Sequence, residues 1–249
     1  IERQEFNKFI SLSSEKANIY KDDTLVDELD HSFVKGQTFF AKEKLLDNEG
    51  NEYYSLYDVK DLLVGFVSVK EVEIATDKGG VVQPIQKYAT VTTNNGKLLT
   101  NFNDSVNGTT ASLLNQTYRV KGIHYHFDGT LYYQLFANKD KILGYVSVAD
   151  AKLTDGAQGI YQSLNQYVTI KKNNYPIWQN FGWKKKYDSN QFLNRTFLVK
   201  GEYRHFNGET YYSLYDTTGT WYGYINKTGV EKTADKQGPY FSLGKYVTV

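Results

Sequence analysis

The sequence predicts an all-β chain of three tandem half-open barrels arranged as a semi-rigid array, and three observations carry that prediction. A unit of 79 residues recurs in register without insertion or deletion. Apolar residues alternate with period two inside each unit, and no stretch sustains the 3.6-residue period of a helix. Tyr53-Tyr54-Ser55-Leu56-Tyr57 returns as Tyr132-Tyr133-Gln134-Leu135-Phe136 and again as Tyr211-Tyr212-Ser213-Leu214-Tyr215. Thr38, Thr117 and Thr196 keep the same step, as do Lys42, Lys121 and Lys200, and Gly50, Gly129 and Gly208. The second and third copies share 26 of 79 aligned residues, which establishes homology within one chain. The units span 1–86, 87–165 and 166–249. A further start, Tyr246-Val247-Thr248-Val249, either opens a fourth copy or completes the third. Solenoid repeats run to roughly 50 residues, so a unit of this length can enclose a small core of its own.

The third copy shows the elements most clearly. Gln166 to Ile170 alternates as a strand and matches Phe9-Ile10-Ser11-Leu12 and Tyr88-Ala89-Thr90-Val91. A polar loop with Asn173, Asn174 and Pro176 leads into Ile177-Trp178 and then Phe181, and Asp188 to Leu193 can close one helical turn. Thr196 to Tyr203 is the next strand. It ends at Asn207-Gly208, matched by Asp128-Gly129, which predicts a type I′ hairpin with positive φ at both central residues. On the return strand Tyr212 and Leu214 share the core face, while Tyr211, Ser213 and Tyr215 share the other. Thr217-Thr218-Gly219 turns the chain into Trp221 to Ile225, where Gly223 marks a bulge or a close backbone approach. The linkers Thr76 to Gln86, Thr154 to Asn165 and Thr233 to Gly244 mix glycine with apolar residues such as Ile160, Tyr161 and Leu164, which predicts packed rather than free connections.

Composition excludes several classes of function. With no cysteine there are no disulfides, thiolate metal sites or cysteine nucleophiles. No apolar run approaches the roughly 18 residues of a membrane span. The N-terminus lacks a signal-peptide core and an initiator Met, which predicts a processed chain or an excised fragment. No nucleophile elbow, phosphate loop or His-Glu-x-x-His motif is present. The acidic pairs Asp22-Asp23 and Asp27-Glu28 lie in one polar loop and read as charged surface. The net charge of +1 conceals an asymmetry. Residues 8–86 carry nine basic against fifteen acidic side chains, a net of −6, whereas residues 87–165 sum to +2 and residues 166–244 to +5. Local charge governs encounters with a polyanion more than the total does, so the three units differ as potential binders.

One strand resembles a known family. Gly65-Phe66-Val67 with Val72, Gly144-Tyr145-Val146 with Ala151, and Gly223-Tyr224-Ile225 with Val230 look like the signature strand of GW modules, the SH3-like repeats of Gram-positive autolysins and internalin-type surface proteins. Here the Gly-Trp dipeptide is Gly-Phe or Gly-Tyr. The literal Gly182-Trp183 falls elsewhere in the unit, aligned with Asn103-Asp104. The resemblance implies an SH3-like barrel per unit and non-covalent attachment to the bacterial cell wall through teichoic acid, lipoteichoic acid or peptidoglycan, outside the cell. It also allows contact with host glycosaminoglycans or receptors, and a peptidoglycan hydrolase domain elsewhere in the full-length protein. It implies no cofactor, no nucleic acid, no catalysis by this region itself, and a monomer.

Two groups of residues are candidate ligand contacts. Trp183-Lys184-Lys185-Lys186 with Lys171, Lys172 and Arg195 gathers ammonium groups suited to phosphate beside an indole suited to a sugar face; the competing reading is a solvated loop. Tyr53 and Tyr57, Tyr132 and Phe136, and Tyr211 and Tyr215 line an exposed strand face that can serve as a sugar platform; cross-strand packing is the competing and favoured reading. His124-x-His126 has a zinc-compatible spacing but no third ligand, and His126 aligns with His205 beside the hairpin, so a structural role is expected. His31 stands alone.

Overall fold

The structure is a computed structural model and describes residues 1–30, 33–103, 106–242 and 244–246. His31, Asp104 and the last three residues of Tyr246-Val247-Thr248-Val249 lie outside the described residues.

Each 79-residue copy builds one antiparallel sheet curled into an SH3-like half-open barrel. The three sheets have six, seven and seven strands. In the third, Gln162–Ile170 pairs on one side with Thr196–Arg204 and on the other with the closing strand Val230–Thr233. Thr196–Arg204 pairs with Thr210–Tyr215, that strand with Trp221–Asn226, and the short Pro176–Trp178 with both Trp221–Asn226 and Lys185–Asp188. A one-turn 3-10 helix, Lys227–Gly229, carries the chain into the last strand. By compactness the chain divides into two units. The first is Ile1–Leu114 with Tyr118–Lys152 and the second Asn115–Thr117 with Leu153–Val249, so the first two copies share a unit almost entirely.

Alternation sets the core. Tyr212 and Leu214 are buried with Val168, Ile170, Ile177, Phe197, Val199 and Ile225, as the pairing of Tyr212 with Leu214 predicts. The first copy repeats the arrangement with Ile10, Leu12, Ile19, Phe39, Ala41, Tyr54, Leu56 and Val67. Burying each such side chain contributes about 1.5–3 kcal/mol, the main favourable term available to so small a barrel. Asp188 to Leu193 closes a turn as expected: Ser189–Phe192 is a 3-10 helix, with Asp188 and Gln191 forming a reciprocal capping box. Asp188→Ala is expected to cost about 1 kcal/mol in urea denaturation; an unchanged midpoint would show that the cap is redundant.

The hairpin differs from the type I′ expectation. Among residues 205–209 only Gly208 has positive φ, at 89°. Gly208 N donates to His205 O at 3.0 Å and His205 N to Glu209 O at 2.9 Å. This is a three-residue loop, a type I turn followed by a left-handed glycine. Asn207 stays at ordinary φ, where its side chain accepts the Glu209 amide at 2.9 Å, and so only one residue needs the left-handed region. Gly50 and Gly129, at 89° and 88°, close the other two copies in the same way. The Gly223 expectation holds on both counts: the register shifts between Leu214 and Tyr215 opposite it, and its Cα faces the Trp178 carbonyl.

The first linker is packed. Val81 N donates to Ser11 Oγ at 2.9 Å, and the Gln83 side chain lies against Gly36. Lys78 O accepts the Phe127 amide at 2.8 Å. The second linker bonds likewise within its unit, Phe206 N to Ala157 O at 2.8 Å and Gln162 Nε2 to Asn115 O at 3.0 Å.

Candidate binding surfaces

The side of the sheet opposite the core carries a second aromatic layer. Between the strands Pro176–Trp178 and Lys185–Asp188, Asn180 Oδ1 accepts the Gly182 amide at 3.0 Å, and Trp183, at φ +63°, donates its amide to Asn180 O at 3.2 Å. This tight turn folds Phe181 and Trp183 back over the sheet. The Phe181 ring stacks 4.7 Å from Tyr224 and lies 5.0 Å from Tyr203 and 5.6 Å from Tyr211. Trp183 lies 5.2 Å from Trp178, 5.3 Å from His205 and 5.4 Å from Tyr211. Tyr211 is therefore only 6% exposed, which corrects its assignment to an open strand face, whereas Trp183 at the rim keeps 39% exposure. Burial first, with Tyr203 adding to it, pushes the Tyr224 hydroxyl up to about 12.

The second copy places Phe102 where the third has Phe181. Its ring is buried 4.4 Å from Tyr145, 5.3 Å from Tyr132, 5.0 Å from His124 and 5.6 Å from His126. Phe102 and Phe181 organise this layer and were not singled out as site residues; their recurrence at the 79-residue step was the available signal. The first copy has Asp23 there, paired with Arg3, and Tyr53 meets Tyr20 edge-on at 5.9 Å. Phe66 is buried, while Tyr145 and Tyr224 are partly so. The glycine strand's aromatic residue thus belongs to this layer in the second and third copies.

Tyr57, Phe136 and Tyr215 share another arrangement. The recurring Lys42, Lys121 and Lys200 place Nζ 4.2, 4.8 and 4.3 Å from those ring centroids. The cation–π pair, worth about 0.5–1 kcal/mol at a solvent-accessible position, is common to all three copies, with Lys42 and Lys121 also paired to Asp61 and Asp140, and it is cross-strand packing of the kind the sequence favoured.

The candidate cations are distributed over the third repeat rather than gathered at one point. Lys184 sits beside Trp183, exposed, with no ion pair among the described residues. Lys185 pairs with Asp188 at 2.7 Å, and Lys186 covers the Trp221 ring at 4.3 Å while donating to Trp221 O at 3.1 Å. Arg195 stacks over Tyr222 at 4.7 Å and bonds its hydroxyl at 3.0 Å. Lys171 lies 4.0 Å from the Phe241 ring, and Lys172 is exposed 6.0 Å from Tyr175. Trp183, Lys184, Lys185 and Lys172 therefore present free or solvent-facing groups, whereas Lys186 and Arg195 are held by aromatic rings.

His126, His205 and His124 contact the backbone around them. His205 Nδ1 accepts the Asn207 amide at 3.0 Å and His126 Nδ1 the Asp128 amide at 3.2 Å, each bracing a hairpin. His124 is buried, 3.3 Å from Gly80 O through Nδ1, and its Nε2 has no hydrogen-bond partner among the described residues. No group of three metal-ligating side chains occurs among the described residues. Burial lowers both His124 and His205 below the ordinary value of 6.5. The unfolded chain then takes up protons first on acidification. Stability is full above about pH 6.5 and is lost as pH falls from there through the folded values. Urea midpoints are expected to drop between pH 7.5 and 5.5, and the drop should shrink in a His124→Gln, His205→Gln double variant. An equal drop in both proteins would assign it to other groups.

No family model matches the chain, and no curated protein matches it. Among solved structures, the crystal structure of a "putative autolysin" from Listeria monocytogenes is similar over 92% of this chain and 97% of that one, at 12% identity and a TM-score of 0.32, a likeness too loose to carry an argument.

Proposed function

We propose that this chain is a non-catalytic wall-binding region that holds a bacterial surface protein or autolysin on the envelope, outside the cell, through teichoic or lipoteichoic acid or another wall polymer. In this reading residues 1–86, 87–165 and 166–249 are three linked binding domains, monomeric and unequal. The observation that carries it is the loop of the third repeat, where a 39% exposed indole stands beside the unpaired Lys184. An indole face suits a sugar ring and an ammonium group suits a phosphodiester. The resemblance of the three glycine strands to GW modules supports the same class of ligand. Linking weak sites raises retention by two to four orders of magnitude without any new contact.

Pull-down on purified Gram-positive walls, with and without teichoic acids, tests the reading. Retention is expected to fall on teichoic acid removal, and unchanged retention would exclude that polymer. The same exposed cations suit a sulfated host glycosaminoglycan, and competition between soluble heparin and isolated walls separates the two.

A further inference from the structure

The second repeat docks on the first through its hairpin and linker, and the third repeat carries the counterpart of the receiving half. Where the first repeat meets the second, within the first compact unit, the hairpin tip of the second, Tyr125 to Gly129, forms one wall of a small cleft whose other wall is Thr38, Phe39, Asp58 and Val59 of the first. The Phe127 ring packs edge-on to Phe9 at 5.2 Å, and its amide donates to Lys78 O at 2.8 Å. A linker residue, Val82, fills the space over Gly122. The same pieces recur at the 79-residue step in the second unit: Phe206 N donates to Ala157 O at 2.8 Å, and Tyr161 lies over Gly201.

On the third repeat the counterpart of that receiving surface is formed and, among the described residues, open. Tyr167, Thr196, Phe197, Leu198, Asp216 and Thr217 line a groove of about 500 Å³. Tyr167, Leu198 and Asp216 are the counterparts of Phe9, Phe40 and Asp58. The linker around Gly238 repeats the conformation at Gly80, with φ of 76° and 77° and each glycine against its threonine, Thr196 or Thr38. The Lys236 carbonyl, counterpart of Lys78 and Ala157, accepts no hydrogen bond among the described residues. Tyr240, counterpart of Val82 and Tyr161, is 90% exposed.

We infer that this groove, with Lys236 O and Tyr240, is a docking seat for the phenylalanine-tipped hairpin of another SH3-like repeat placed in line after it, as the second repeat stands to the first. A second copy of this chain fits less well. Its Phe127 and Phe206 amides are already bonded, and the hairpin of its first repeat has Asn48 at the phenylalanine position.

The test is the full chain to position 244 with residues 166–244 added in register, read by amide hydrogen exchange. The Phe206 amide of the added copy is expected to be protected to within about tenfold of Phe127, and Tyr167→Ala should remove that protection at least tenfold while leaving Phe127 unchanged. Exchange of the added amide at the rate of an open turn would overturn the inference. So would an unprotected Phe127, because the docking contact itself would then be absent. Self-association of the unextended chain in sedimentation, abolished by Tyr167→Ala, would assign the groove to a second copy instead.

Discussion

Gly223→Ala is expected to destabilise the third repeat by about 3 kcal/mol or more. Gly223 has φ of 130°, and a Cβ there would stand 2.6 Å from the Trp178 carbonyl oxygen. Holding a non-glycine residue in that region costs roughly 1–3 kcal/mol. The contact adds to it, because the obstructing atom is backbone in a neighbouring strand. Relief requires Pro176–Trp178 to move away from Trp221–Asn226, losing the pairs Ile177 with Ile225 and Trp178 with Tyr224. Gly219→Ala is the control: φ is 85° there but no heavy atom lies within 4 Å of the added carbon, so only the backbone term of about 1–2 kcal/mol applies. Urea denaturation of both variants decides the matter, and equal losses would show that the close approach contributes nothing.

That glycine also shows why most of the fold was readable. Strand boundaries follow from period-two alternation, which a one-sided core imposes on every copy, and three aligned copies cancel the noise of any single one. Thr210–Tyr215 and Trp221–Asn226 accordingly fall within a residue of their sequence-based limits. The hairpin type was less legible, since Asn-Gly is compatible with both loops and the choice rests on the five-residue hydrogen-bond pattern around His205. The second aromatic layer was obscured for a different reason. Alternation correctly placed Tyr211 opposite Tyr212, but whether that face meets water depends on where the loop carrying Phe181 and Trp183 folds. That is set by the Asn180 turn and is absent from any strand pattern. The cation cluster suffered the same limit, because adjacency in sequence sent Lys185 to Asp188 and Lys186 to Trp221 on alternate sides of one short strand.

The structure divides each repeat's outer surface into a part that recurs and a part that does not. Lys42, Lys121 and Lys200 recur and are held over Tyr57, Phe136 and Tyr215, so charge at those positions serves the sheet. Lys172, Lys184 and Lys185 belong to the third copy alone and face solvent. Reversing these three to Glu takes residues 166–244 from a net +5 to −1. A cation near an anionic surface is worth on the order of 1 kcal/mol. Reversal adds repulsion to that loss, and retention on teichoic-acid-bearing walls is expected to fall by at least about 100-fold at low salt, with a shallower salt dependence. Fold stability should change by less than about 1 kcal/mol, since the Lys185 pair with Asp188 is exposed. A matched reversal of the exposed Lys16, Lys21 and Lys60 in the first repeat changes the total charge by the same amount in a unit that is already at −6. It is expected to change retention no more than a few-fold. If the two sets weaken binding equally, total charge governs attachment and the third repeat has no privileged surface. If only the first set does, the polymer is held by the solvent-facing lysines of the third repeat, among them Lys184 at the Trp183 rim.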